Sequence, residues 1–388
     1  MATAEQSDRR PEGDAERPAA RGRLSGFDGL RAVAALSLVV FHAVLFSPGF
    51  TGSRTWGVVV QLRAGVWIFF VISGFLLYQP YVAAHRGTRP APRIRGYGWS
   101  RLLRIYPAYL VALVLLTYVF RDTYVQALPK FLTQLGLLQI YNLKVLRRSY
   151  PLDVTWSLAT EITFYVFLPF FAAAVARLVK RTGALRAEIA GLAAMVVVGV
   201  AWQIVMHGRS IQSTWLPSFL PVFAVGMGLA VANDHLRETA VPWLRSFARM
   251  GTLCWALGFG VLLLKGLVLP VDMGFEQGHA LGPQLLYTTF AFLMVAPFVL
   301  GTGSRSLVHR LADTRVMVFL GTISYGIFLW HQAVIHWVNF EWTDASRRNG
   351  ATLLVIGLAV VVTIPIATAS WYLVERPALR LKQRMRRD

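Results

Sequence analysis

Residues 27–46, FDGLRAVAALSLVVFHAVLF, decide the fold. Twenty residues at 1.5 Å each make a helix of about 30 Å, the thickness of a bilayer's hydrocarbon core. Only Asp28, Arg31 and His42 interrupt the apolar run. Ionisable groups inside a span are costly, and they tend to mark function. Arg31 and His42 are eleven residues apart, so on a helix they differ by about 20° in direction and lie about 16 Å apart along the axis. They share one face, Arg31 near the cytoplasmic mouth and His42 one to two turns below the outer surface. Two readings stay open for this pair: a snorkelling anchor with an interhelical hydrogen bonder, or a working pair in a substrate path.

The rest of the chain repeats the first segment's character. Of 388 residues, 55% are hydrophobic and 15% charged, and the mean hydropathy is +0.51. Charged residues make up about a quarter of an ordinary soluble domain. Apolar segments of spanning length follow at 57–83, 105–120, 155–178, 188–206, 216–232, 251–269, 285–301, 317–340 and 351–373. The stretch 131–141 (FLTQLGLLQIY) is too short to cross and reads as re-entrant or interfacial. With ten spans, 27 of the 39 Lys and Arg fall in inner segments and 9 in outer loops; letting 131–141 cross would turn the basic segments outward, against the positive-inside rule. The expected fold is an all-α integral membrane protein of about ten transmembrane helices with both termini cytoplasmic. Residues 1–26 read as a disordered cytoplasmic tail, 27–375 as the membrane domain and 376–388 as a basic cytoplasmic tail. The net charge of +20 belongs to topology and anionic lipid rather than to nucleic acid. The single cysteine, Cys254, excludes an internal disulfide and a cysteine-based metal cluster.

Further ionisable groups lie within spans. Glu161, in TWSLATEITFYVFLP (residues 155–169), sits about six residues from the outer end, with Tyr165 one turn on and Trp156 opening the motif. Arg63 reads as a partner for Glu161, the plain alternative being a structural ion pair. His331, in SYGIFLWHQAV (residues 324–334), falls at comparable depth. Two histidines and a carboxylate could hold a metal, but no HExxH-like spacing supports it, so none is expected. At the inner side, WSRLLRIYPAY (residues 99–109) places Arg101 and Arg104 beside Trp99 and Tyr106. Guanidinium groups and aromatic rings suit phosphates and a nucleobase; the plain alternative is positive-inside charge.

Six stretches together, GFDGLRAVAALSLVVFH, GVWIFFVISGFLL, RLLRIYPAY, TWSLATEITFYVFLP, SYGIFLWHQ and WYLVERP, resemble the acyltransferase-3 family of multi-spanning membrane O-acyltransferases. They occur in family order from residue 26 to residue 377. The resemblance implies acyl transfer from cytosolic acyl-CoA, with acetyl-CoA the expected donor, to a hydroxyl that is commonly on a sugar. It implies that Arg31 and His42 are the family's essential pair, His42 serving as general base. Glu161 matches the acidic residue of W-S-L-x-x-E and completes the catalytic set. Arg31, Arg101, Arg104, Tyr106 and Ser73 are the expected donor-binding set, and His331, Arg63, Tyr165 and Trp156 possible site residues. The chain resembles stand-alone members without an extracellular SGNH-type domain. One position departs from the pattern: Trp67 follows Gly65-Val66, where the family usually has an acidic residue. If that carboxylate orients the histidine, its role is vacant or moved to Glu161 or Asp28; Asp28 alternatively caps the first helix.

The expected mechanism is a pore-like site. CoA is held from the cytosol at Arg31, Arg101 and Arg104, its pantetheine arm runs up the helix face, and the thioester arrives near His42, with Arg63, Ser73 or Tyr165 as oxyanion donors. No bound cofactor is expected beyond the acyl-CoA co-substrate. The expected acceptor is a hydroxyl-bearing cell-envelope glycan or glycolipid, with a small molecule such as a macrolide as the alternative, at a bacterial cytoplasmic membrane. Two other classes compete: a proton-coupled transporter, which would show repeat symmetry and broken spans, and a non-catalytic lipid-binding partner.

Overall fold

The structure, a computed structural model, describes residues 26–46, 55–120, 125–148, 150–207, 209, 211–235, 242, 246, 249–269, 281–301, 306–342 and 351–384. The expected tail at 1–26 therefore lies almost wholly outside the described residues. The membrane helices are α1 (Phe27–Leu45), α2 (Gly65–His85), α3 (Ile94–Val114), α5 (Trp156–Thr182), α6 (Ala184–Val205), α7 (Leu216–His235), α8 (Gly251–Val268), α9 (Leu281–Leu300), the pair α10 (Arg315–Thr322) and α11 (Ser324–His336), and α12 (Thr352–Ser370). A short helix, α4 (Leu128–Leu135), lies within the stretch 125–155, and α13 (Arg376–Arg384) closes the chain. Among the described residues nine helical segments are long and apolar enough to cross a bilayer, and α10 with α11 makes a tenth if counted as one span. The stretch 131–141 is not among them.

Two boundaries differ from the hydropathy reading. The third span begins at Ile94 rather than 105, so Trp99, Arg101 and Arg104 sit on a helix instead of in a loop. Its first turns are basic and amphipathic, and hydropathy registers only the apolar run after them. The ninth span is broken: α10 and α11 meet at 71° around Ile323. Gly321, just before the break, lies so close to α1 that a Cβ there would stand 1.9 Å from the Asp28 carbonyl oxygen. Glycine next to a kink is a common cause of one. The break brings the first turn of α11 against the Arg31 end of α1.

Burial separates centre from periphery. About two thirds of the spanning windows of α7 and α9 (67% each) is buried inside the protein, against 22–28% for α5, α6, α8 and α12. The outer helices present large apolar side chains such as Val197, Leu264 and Leu353 outward, as helices facing lipid do. At the centre α2 and α7 approach closely through paired glycines, where a Cβ on Gly226 would stand 2.1 Å from the Val71 carbonyl oxygen.

A buried polar clasp ties α2 to α5 and α6. The Glu188 carboxylate accepts from the Tyr78 hydroxyl and lies 2.6 Å from His85 Nδ1, while His85 Nε2 faces the Ala172 carbonyl at 3.0 Å. Breaking a buried pair by removing one partner is strongly destabilising. Glu188→Leu is expected to cost about 3 kcal/mol, seen as a lower thermal transition of the purified protein.

Candidate active site

A cavity of about 830 Å³ opens between α1, α2, α3, α5 and α11. Arg31, Arg101, Arg104, Glu161, Ser73 and Tyr165 all contribute to its wall. A second cavity, of about 900 Å³, adjoins it and shares Arg31, Leu76, Arg104, Ser324 and Tyr325 with it. This second space adds Asp28 and Glu375.

Within the first cavity one carboxylate is firmly held. Glu161 Oε1 accepts from Ser73 Oγ at 2.5 Å and from Tyr165 Oη at 2.6 Å. Arg101 stands over the Tyr165 ring at 6.0 Å. Arg31 Nη1 donates to Asp28 Oδ1 at 3.2 Å. Asp28 is thus an arginine partner; Gly26 holds the cap position of α1, with no side-chain capping bond. Three guanidinium groups converging on one cavity suit a polyanionic ligand bound bidentately.

The histidines lie elsewhere. His42 and His331 line neither cavity. Their rings are 5.0 Å apart, with His331 Nε2 3.1 Å from His42 Nδ1. The surroundings fix both tautomers. His331 Nδ1 faces the Phe328 and Ile327 carbonyls at 2.7 and 3.1 Å, so it carries the proton and donates. Its Nε2 is therefore bare. His42 Nδ1 faces that bare nitrogen and also the Leu38 carbonyl at 3.0 Å, two acceptors, so it too carries a proton. What remains is Nε2 of His42, with its lone pair unprotonated. His331 is fully buried, whereas His42 keeps part of its surface accessible.

Several sequence expectations are corrected by this geometry. Glu161 does not sit at the depth of His42: its partner Ser73 lies two residues from Phe75, whose ring packs on Phe27 at 5.5 Å, below Arg31 on α1. Counting inward from the end of a hydrophobic run fails here because the stretch 125–155 folds over that end and leads directly into α5. Arg63 does not pair with Glu161; its Nε donates to the Tyr287 hydroxyl at 2.8 Å. Tyr106 packs edge-on against Tyr109, and Trp156 against Phe219, so neither lines a cavity. Trp67 Nε1 donates to Gln284 Oε1 at 2.8 Å, so it has been absorbed into packing. Neither Glu161 nor Asp28 takes over the orienting role at His42; His331 does. The two histidines and Glu161 do not assemble, and among the described residues no three His, Cys, Asp or Glu are placed to hold a metal ion.

Tyr325, Ser324 and Phe328 line the cavity without having been singled out from the sequence. Tyr325 Oη donates to the Ile105 carbonyl at 2.9 Å, tying the broken span to α3. Phe328 marks the cavity's upper end, one helical turn before His331.

An all-helical, multi-pass membrane protein with an arginine-lined cavity beneath an oriented histidine pair is the class that the fold and site define. The chain belongs to the acyltransferase-3 family: the family model described as "Acyltransferase domain" matches residues 24–372. It is similar to a Rhizobium leguminosarum bv. viciae protein named "Nodulation protein 10", at 26% identity over 93% of this chain and 95% of that protein. It is also similar to a Bacillus subtilis (strain 168) protein named "Putative peptidoglycan O-acetyltransferase YrhL", at 25% identity over 91% of this chain. A Staphylococcus aureus (strain COL) relative named as an O-acetyltransferase is 23% identical over 91% of this chain. The chain spans about half the length of the last two, 54% and 57%. No solved structure matches it significantly.

Proposed function

We propose that this protein is an O-acyltransferase that takes an acetyl or other short acyl group from cytosolic acyl-CoA and places it on a hydroxyl of a cell-envelope glycan or glycolipid. The observation that carries the reading is the His42–His331 pair, which leaves His42 Nε2 unprotonated about three turns along α1 from Arg31 of the arginine-lined cavity. The names of the Bacillus and Staphylococcus relatives support transfer to oxygen, and the first of them supports an envelope glycan. The charge asymmetry of the loops supports cytoplasmic termini, with the arginine end facing the cytosol of a bacterial cytoplasmic membrane.

In this reading Arg31, Arg101 and Arg104 take the donor's phosphates. Glu161, held by Ser73 and Tyr165, offsets the mutual repulsion of the three arginines in the cavity wall. The pantetheine arm rises toward Phe328, and the thioester passes that ring to reach His42. The acceptor oxygen bonds to the thioester carbonyl carbon while its proton moves to Nε2 of His42. The C–S bond then breaks, and CoA leaves as the thiol with that proton. Charge developing on His42 is met by Nδ1–H donating to the bare Nε2 of His331.

Binding of acetyl-CoA to the protein in lipid nanodiscs tests the donor assignment. Single Arg31→Ala, Arg101→Ala and Arg104→Ala substitutions should each weaken binding by roughly tenfold or more, since hydrogen bonds to charged groups contribute about 1.5–3 kcal/mol. Folded wild-type protein that bound no acyl-CoA at all would sink the reading.

A further inference from the structure

Beside and above the histidine pair the structure buries polar atoms that have no hydrogen-bond partner among the described residues. Gln332, next to His331, is fully buried, and neither its amide nitrogen nor its amide oxygen is hydrogen-bonded. Asn339 is equally buried; its Nδ2 donates to the Phe46 carbonyl at 3.4 Å, and its Oδ1 is unsatisfied. The hydroxyl of Tyr150 is buried and unsatisfied too. Buried polar groups are nearly always paired, so each of these requires an explanation.

Asn339 and Tyr150 meet α1 at Phe46, one turn from the base, and Gln332 adjoins His331 in sequence. Gln332 follows Phe328 by four residues, so along α11 it stands one turn above the ring that ends the cavity, on the same face. Asn339 reaches α1 at Phe46, one turn beyond His42, and the Phe46 ring lies 6.5 Å from the His42 ring. Tyr150 packs edge-on against Phe46 at 5.2 Å and against His336 at 5.1 Å. Burial, and next to it Asp153, push the Tyr150 phenol well above its usual range, so it stays an O–H donor.

The chemistry of the set is uncharged and mixed. Gln332 offers two donors and an acceptor, Asn339 an acceptor, and Tyr150 a donor and an acceptor. An anion would use only the donors and a cation only the acceptors. A molecule carrying several hydroxyls satisfies both, and the flanking rings of Phe46, Tyr150 and His336 offer flat apolar faces for its C–H surface.

We infer that Gln332, Asn339 and Tyr150 form the acceptor subsite, which binds an uncharged polyol such as a sugar ring on the side of His42 away from the arginine cavity. The inference rests on the acyl-transfer reading and supplies what that reading lacks, the residues that hold the hydroxyl compound. Donor and acceptor then meet at Nε2 of His42 from opposite ends of the bundle.

The test uses full-length protein in nanodiscs with Cys254→Ser as background, and methyl β-D-glucoside as the probe. Gln332→Cys and Asn339→Cys, made singly, should react with a small hydrophilic methanethiosulfonate reagent, and millimolar probe should slow both reactions at least fivefold. Gln203→Cys, at a buried glutamine of α6 whose amide donates to the Ser218 carbonyl, should show no probe effect. In the acyl-transfer assay, Gln332→Leu and Tyr150→Phe should raise the half-saturating probe concentration about tenfold, while half-saturating acetyl-CoA moves less than twofold. Cysteines that stay unlabelled, or that label with no protection by the probe, would overturn the subsite and show these polar atoms to be internal structure only. A wild-type protein that failed to turn over acetyl-CoA would overturn the acyl-transfer reading instead, and protection of the cysteines would still decide whether a polyol binds here.

Discussion

Alanine at position 42 should lower acyl transfer by about 10²–10⁴-fold, the range that a positioned general base contributes, and leave acetyl-CoA affinity within about twofold. The two effects separate because His42 lines neither cavity and stands about 16 Å along α1 from Arg31. Arg31→Ala should do the reverse, weakening donor binding first and affecting transfer at saturating donor less. The measurement is a single-turnover transfer rate beside a direct binding isotherm, both on protein of unchanged thermal transition. His42→Gln sharpens it: glutamine can still donate toward His331 but cannot take up a proton, so it should be about as inactive as alanine. Transfer at the wild-type rate by a folded His42→Ala protein would remove the base from this position.

The placing of Arg31 and His42 on one helix, α1, was legible in the sequence because both residues are expensive in a membrane. An arginine and a histidine inside an apolar run stand out, and helical periodicity alone puts them on one face at a known separation. The same cost exposed Glu161 and His331. What periodicity does not carry is the depth of a helix relative to its neighbours. Glu161 was placed beside His42 by counting from the end of a hydrophobic run, yet its carboxylate is fixed by Ser73 near the Arg31 end. Arg63 was paired with it by the same counting and instead meets Tyr287. The 71° break at Ile323 was hidden for a related reason, since Gly321 and Ser324 barely lower the hydropathy of the ninth run. A broken span had been associated with transporters; here it brings Tyr325 and Ser324 to the arginine cavity.

Uncharged polar residues were the largest blind spot. Gln332, Asn339 and Tyr150 carry no charge and match no spacing rule. Their interest arises only from buried polar atoms left unsatisfied, which is a property of the fold. The clasp of Glu188 with Tyr78 and His85 escaped because α2 and α6 must meet before its members touch.

The second large effect should come from His331, a residue that on this geometry touches no substrate. Its work is to hold a bare Nε2 against His42 Nδ1, which fixes the tautomer of the base and receives the charge formed when His42 takes a proton. In the family's usual pattern an acidic residue stands where Trp67 does here, and Trp67 is committed to Gln284. The acceptor that faces His42 Nδ1 comes from α11, and it is a neutral imidazole. His331→Leu removes the acceptor, lets His42 swap tautomer and should lower transfer by about 10²–10⁴-fold, the scale seen when a catalytic histidine loses its orienting partner. His331→Gln restores a carbonyl acceptor at similar reach and should recover at least tenfold of that loss. A purely structural role predicts the opposite ordering, with both substitutions reducing activity in proportion to stability and with no rescue. The discriminating readout is transfer rate against thermal transition for the two variants: recovery of rate by glutamine without recovery of stability marks His331 as the residue that positions the base.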